Sequence, residues 1–216
     1  MPITLSAPRP GLFLTFEGPE GAGKTTQIAR LEDALTALGH AVTRTREPGG
    51  DAVGERVRDL LLHAPVGGGV GAEAELLLFA AARAQNVAGV IRPALAAGHV
   101  VLCDRFTDST RAYQGAGRGL PGDVIATLNA FATGGLTPDR TFLLDLPPSL
   151  GLSRQCAQEQ NRLDREDLAF HERVRESFLA TAAREPGRVR VLDAARAPDA
   201  VFADLLASVR NLLAAR

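Results

Sequence analysis

The stretch Leu12-Phe13-Leu14-Thr15-Phe16-Glu17-Gly18-Pro19-Glu20-Gly21-Ala22-Gly23-Lys24-Thr25-Thr26 decides the fold. Residues 18–25 match G-x-x-x-x-G-K-S/T in full. An apolar run that reads as a strand, Leu12–Phe16, precedes them, and a segment with helical spacing, Thr25–Leu38, follows. Strand, glycine loop and helix in that order make a phosphate-binding loop. The glycines let backbone N–H groups turn inward around phosphate oxygens, and the helix N-terminus adds favourable partial charge. Lys24 is expected to reach the β- and γ-phosphates of a nucleotide, and the Thr25 hydroxyl to ligate Mg2+. The expected nucleotide-binding set is Gly18, Pro19, Glu20, Gly21, Ala22, Gly23, Lys24, Thr25 and Thr26. Composition singles out the same lysine: of 24 basic residues Lys24 is the one Lys, and the other 23 are Arg. A planar guanidinium cannot replace a compact ammonium inside a tight loop.

Outward from this loop, the chain alternates short apolar runs with long helical segments. Strands are expected at Ala41–Thr45, His99–Cys103, Thr141–Leu144 and Arg188–Leu192 as well. Helices are expected at Ala52–Leu62, Ala72–Ala97, Val124–Ala132, Asp167–Arg184 and Pro198–Leu213. Gly39 and Gly98 stand just past two helical segments, where a left-handed residue ends a helix. The run Ala64–Gly71 reads as a loop. Five strands alternating with helices predict a three-layer α/β/α fold on a parallel sheet, with ligands gathered at the carboxyl ends of the strands. At 216 residues the chain is expected to form a single domain over residues 1–216.

The net charge is 24 minus 25, or −1, which predicts no nucleic-acid partner. No apolar stretch reaches the ~20 residues of a membrane helix, and residues 1–11 contain no signal-peptide core. A cytoplasmic protein is therefore expected. Cys103 and Cys156 lie in unrelated contexts, which predicts neither a zinc site nor a disulfide framework. His40, His63, His99 and His171 are assigned no chemistry.

The reaction class comes from the loops after the later strands. The N-K-x-D segment with which GTPases read their base is missing, as is the signature loop of a transporter ATPase. Arginine-bearing blocks stand instead: Thr45-Arg46-Glu47-Pro48-Gly49-Gly50, the helical Leu77–Ala84 with Phe79 and Arg83, and Asp104–Gly115. With Leu136–Pro148 and Asn161–Val174, they make the chain resemble the thymidylate (dTMP) kinases, block by block and in order, over about residues 11–185. That resemblance implies a P-loop kinase fold of NTPase type with a helical lid, ATP as phosphoryl donor, dTMP as acceptor, dTDP as product, and a homodimer.

The resemblance also implies roles. Arg105 meets the acceptor phosphate, beside Asp104 near the metal. Phe79 lies on the thymine face and Arg83 on a thymine carbonyl, and their i, i+4 spacing puts both on one helical face. Thr110 and Gln114 read the base edge, Tyr113 packs under the deoxyribose, and Glu20 contacts the 3′-hydroxyl. Arg46 and Pro48 belong to the acceptor loop. The acceptor phosphate is already largely dianionic (second pKa about 6), so the chemistry needs cations rather than a base. Gly21 stands where part of the family carries an arginine, so the extra cation is expected from the lid, Ser153–Asp167. Arg154, Arg162 and Arg165 are the candidates, with Arg154 and Arg162 the expected pair. A thymidine kinase on the same scaffold and an ATP-binding regulator are the competing readings.

Overall fold

The structure is a computed structural model and describes residues 11–63, 69–154 and 161–216. Strands β1 (Leu12–Glu17), β2 (Val42–Arg46), β3 (Val100–Asp104), β4 (Arg140–Asp145) and β5 (Val189–Asp193) form one parallel sheet in the order β2-β3-β1-β4-β5. β1 is central and every one of its residues is buried, which is why Leu12–Phe16 reads as a nearly continuous apolar run. Alternation splits it between two layers. Leu12, Leu14 and Phe16 face Ile28, Leu31 and Leu35 of α1 (Lys24–Ala37) and Leu205 and Val209 of α9 (Pro198–Ala214). Phe13 faces the other layer, against Val87, Ile91, Val101 and Phe106.

α2 (Ala52–His63), α3 (Ala72–Asn86), α4 (Arg92–Ala96), α5 (Thr107–Thr110), α6 (Gly122–Thr133), α7 (Pro148–Ser153) and α8 (Leu168–Arg184) complete the helices. The segment expected as one helix over Ala72–Ala97 is a continuous rod with a π-helical turn, Val87–Ile91, between α3 and α4. Pro93 has no N–H to return to Gly89, and the wider turn accommodates that loss. The rod Ala72–Ala96 is, by length and composition, apolar enough to cross a membrane, against the expectation of no such stretch. It also carries the buried polar residues Glu75, Arg83 and Asn86, whose partners all lie within this fold. Two elements have no counterpart among the expected helices: α7, six residues long, and α5, which runs into a second π-helical turn, Arg111–Gly117.

Of the expected helical lid, Ser153–Asp167, the described residues after Ser153 are not helical. Ser153 ends α7, and Gln155, Cys156, Gln158 and Gln160 lie outside the described residues, as does most of the Ala64–Gly71 loop. Residues 161–167 form turns. Asn161 Oδ1 accepts from the backbone N of Leu163 (2.8 Å) and Asp164 (3.3 Å), while Asp164 Oδ2 accepts from Asn161 N (2.9 Å). Such local bonds compete with helical ones. α8 starts only where Asp167 caps Phe170 N at 2.7 Å.

Candidate active site

Strand register brings the motifs together. Phe16 pairs with Asp104 and Asp104 with Arg46, so the loops after β1, β3 and β2 leave one edge of the sheet side by side. In the first loop Gly18 has φ 137° and Gly21 φ 67°, and a Cβ on Gly21 would lie 2.1 Å from the Gly151 carbonyl oxygen. Side chains are excluded there on both counts. The N-terminus of α1 has no side-chain cap and no acidic residue in its first turn, which leaves its amides for an anion. Lys24 Nζ donates to the carbonyls of Gly18 (3.0 Å) and Pro19 (2.9 Å). Burial, and next the charge of Arg105, lowers its pKa from the ordinary value. Thr25 Oγ1 donates to Asp104 Oδ2 at 3.4 Å. A hydroxyl and a carboxylate are hard oxygen donors, which suit Mg2+ held by one or two protein ligands plus phosphates. Among the described residues no cluster of three or more His, Cys, Asp or Glu offers a dedicated metal cage.

Two cavities adjoin at this edge. One is lined by residues 20–25, Arg46, Asp104 and Arg154. The other is lined by Pro48, Phe79, Arg83, Thr110, Tyr113 and Gln114, among others. Glu20, Glu47, Arg58 and Arg105 line both and form the shared wall. Arg105 takes φ 68°, a left-handed conformation that costs a non-glycine residue about 1–3 kcal/mol and marks a built site. Its guanidinium donates to Gly18 O (3.1 Å), Ser109 Oγ (3.2 Å) and Glu20 Oε1 (2.5 Å) and lies over the Tyr113 ring. Tyr113 also donates to Glu20 Oε1, at 2.8 Å. Burial would raise the Glu20 carboxyl, but the charges of Arg105 and Lys24 overcome it and hold it at about 2.

Beneath Arg105 lies Glu17, which alternation along β1 puts on the same face as Phe13 and Thr15. It accepts from Phe106 N (2.8 Å), Ser109 N (3.3 Å) and Ser109 Oγ (2.5 Å), bracing the turn that carries Arg105. Burial, with the neighbouring Asp108 charge, pushes it up to about 8. Arg83 is 1% exposed. It donates to Glu47 (2.7 Å), Thr110 Oγ1 (2.9 Å), Asn129 Oδ1 (2.6 Å) and Phe106 O (3.0 Å). Four of its five N–H groups are thus held, and one remains for whatever enters the cavity it lines.

The expected residues are not all gathered equally. Arg154 lines the phosphate-loop cavity and donates to Gly21 O at 3.4 Å. Arg162 does not line it: it donates to Leu61 O (3.2 Å) and to the buried carboxylate of Glu75. Arg165 is exposed. Arg46 lines the phosphate-loop cavity, paired with Glu55 at 2.7 Å, rather than the Phe79 cavity. The Glu47-Pro48 peptide is cis, and the Pro48 carbonyl accepts from Arg58 at 3.0 Å. Sequence reasoning misses Arg58, which reads as one of several charges on an ordinary surface helix. Its spacing from buried Leu61 (i, i+3) is the available signal. Burial and the Arg46 charge both press against its protonation, a strain that a bound anion relieves.

Residues 16–205 match the protein-family profile described as Thymidylate kinase. The chain is 55% identical to a thymidylate kinase of Deinococcus radiodurans over 200 residues, covering 92% of this chain and 96% of that one. It is 53% identical to one of Pseudomonas syringae pv. tomato, covering 94% and 95%. The crystal structure of thymidylate kinase from Ehrlichia chaffeensis superposes with a TM-score of 0.76 at 33% identity, covering 94% of this chain and 99% of that one.

Proposed function

The chain belongs to the thymidylate kinase family, and we propose that it transfers the γ-phosphate of Mg2+-bound ATP to dTMP, giving dTDP for dTTP synthesis, across the two adjoining cavities. The observation that carries this reading is the shared wall: Arg58 and Arg105 line both the phosphate-loop cavity and the Phe79 cavity. A donor and an acceptor phosphate meeting there face cations from both sides, and holding two polyanions together is most of the task.

In this reading Lys24 leaves its two carbonyl partners for the β- and γ-phosphates, and the α1 amides hold the donor chain. Thr25 and Asp104 would hold Mg2+, which when bound neutralises charge on the phosphate oxygens. Arg105 and Arg58 take the acceptor phosphate, Glu20 the 3′-hydroxyl, and Tyr113 the sugar. Phe79 covers the base face, while Arg83, Thr110 and Gln114 meet its edge. Arg154 supplies the lid cation at the transferring group. The expectation that Arg162 shares this role requires it to leave Glu75, so Arg154 is the arginine we assign.

Thymidine as acceptor would call for a carboxylate base on a sugar hydroxyl. Glu20, held at about 2, is too weak a base for that work. The whole chain, 1–216, is proposed as one kinase domain in the cytoplasm, without a nucleic-acid partner. A homodimer is part of the proposal. Val53 and Leu60 on α2, Leu77 on α3, and Val124 and Phe131 on α6 are exposed, Phe131 at 86%, and these helices pack side by side. The test is ADP release coupled to a panel of acceptors. dTMP should exceed dCMP and thymidine in kcat/KM by about 100-fold or more. Faster turnover of thymidine, or ATP binding without transfer to any monophosphate, would overturn the reading.

A further inference from the structure

Glu75 has no role in the transfer just described, yet it is fully buried beside the base end of the acceptor cavity. It stands on α3 one turn before Phe79 and two before Arg83, on the same stripe of the helix. Its Oε1 accepts from Gln114 Nε2 at 2.8 Å and from Arg118 Nε at 3.4 Å. Its Oε2 accepts from Arg118 Nη2 at 3.3 Å and from Arg162 Nη2. Two guanidiniums thus close one edge of the carboxylate, and one of them comes from the segment just before α8.

The consequence falls on Gln114. A free glutamine amide turns over at little cost and can show either its amino group or its oxygen to a ligand. A carboxylate accepts only, so Gln114 must give Glu75 its amino group. The side-chain oxygen of Gln114, Oε1, accepts in no bond among the described residues, and Gln114 lines the cavity. We propose that Glu75 is a positioning residue for base selection: it locks the Gln114 amide so that the cavity presents an acceptor to the base edge. The acceptor favours a base whose ring nitrogen there carries a proton, as N3 of thymine does. It disfavours a base with a lone pair at that position, as at N3 of cytosine. Arg118 and Arg162 offset the charge that makes the lock one-sided. The inference rests on the proposed reading of this cavity as the dTMP site.

Steady-state kinetics of the full chain with ATP and either dTMP or dCMP, with thermal melting of each variant, tests the lock. Glu75→Gln lets the pair exchange donor and acceptor, and should lower the dTMP:dCMP ratio of kcat/KM about tenfold or more. Glu75→Asp keeps the charge for Arg118 and Arg162 but withdraws the acceptor from Gln114. It should relax the same ratio, and it decides the matter where Glu75→Gln does not fold. A merely structural role would lower both substrates in proportion, and that outcome, or an unchanged ratio in both Glu75 variants, overturns the proposal alone. Gln114→Ala is the control. If it too leaves the ratio unchanged, or the unaltered enzyme does not prefer dTMP, the base assignment itself fails and the lock with it.

Discussion

Lys24 donates to two carbonyl oxygens of its own loop, using two of the three N–H bonds that radiate from one small atom. Lys24→Arg retains charge but brings a flat, wider group into a turn already closed by Leu144 and Gly151 backbone. The expected outcome is a folded protein, judged by an unshifted melting curve, with kcat lowered about 100-fold or more. Near-normal turnover would refute the reasoning. Residues of this kind are legible in the sequence because their chemistry is local: the lysine, its glycines and its threonine lie within eight positions. Glu17, Glu75 and Arg58 are not. Glu17 acts on Ser109, 92 residues away, and Glu75 on Arg162, 87 away. In sequence each is one more charge, and only its burial separates it from a solvated one.

β1, β3 and β4 are readable because inner parallel strands covered on both faces are nearly continuous apolar runs, whereas the edge strands β2 and β5 carry exposed arginines; each expectation falls within a residue or two of its observed ends. α7 is not readable, since six residues show too little of a 3.6-residue period. Of the expected lid, the described residues 161–167 form turns for a physical reason, the Asn161 and Asp164 side chains that bond to local backbone. The segment between α7 and α8 nonetheless sends its arginines to different places, Arg154 to the phosphate-loop cavity and Arg162 to Glu75, which makes a split prediction. Arg154→Ala should lower kcat and kcat/KM together by about 100-fold, with ATP Kd little changed, as for a cation used in the transition state. Arg162→Ala should instead raise KM for dTMP several-fold and leave kcat the less affected, because its partner is Glu75 at the base end. The paired kinetic constants check both. Equal loss of kcat in the two variants would mean that Arg162 reaches the phosphates after all.

On the scale of the whole molecule, the apolar stripe across α2, α3 and α6 predicts self-association. Phe131→Asp should shift the sedimentation coefficient from dimer to monomer, and an unchanged dimer would move the interface elsewhere. A different consequence follows from the strand order. β3 lies between β1 and β2, although both precede it in the chain. The strand bearing the phosphate loop and the strand bearing Arg46 therefore never touch through their own hydrogen bonds. As the polypeptide leaves the ribosome, β1, α1 and β2 emerge with a gap in the sheet that only residues 100–104 fill. Until then the nascent chain exposes the apolar flank of β1, and its glycine loop lacks Asp104 and Arg105. Synthesis must therefore run almost halfway before Asp104 and Arg105, the residues proposed to hold Mg2+ and the acceptor phosphate, can stand beside the glycine loop.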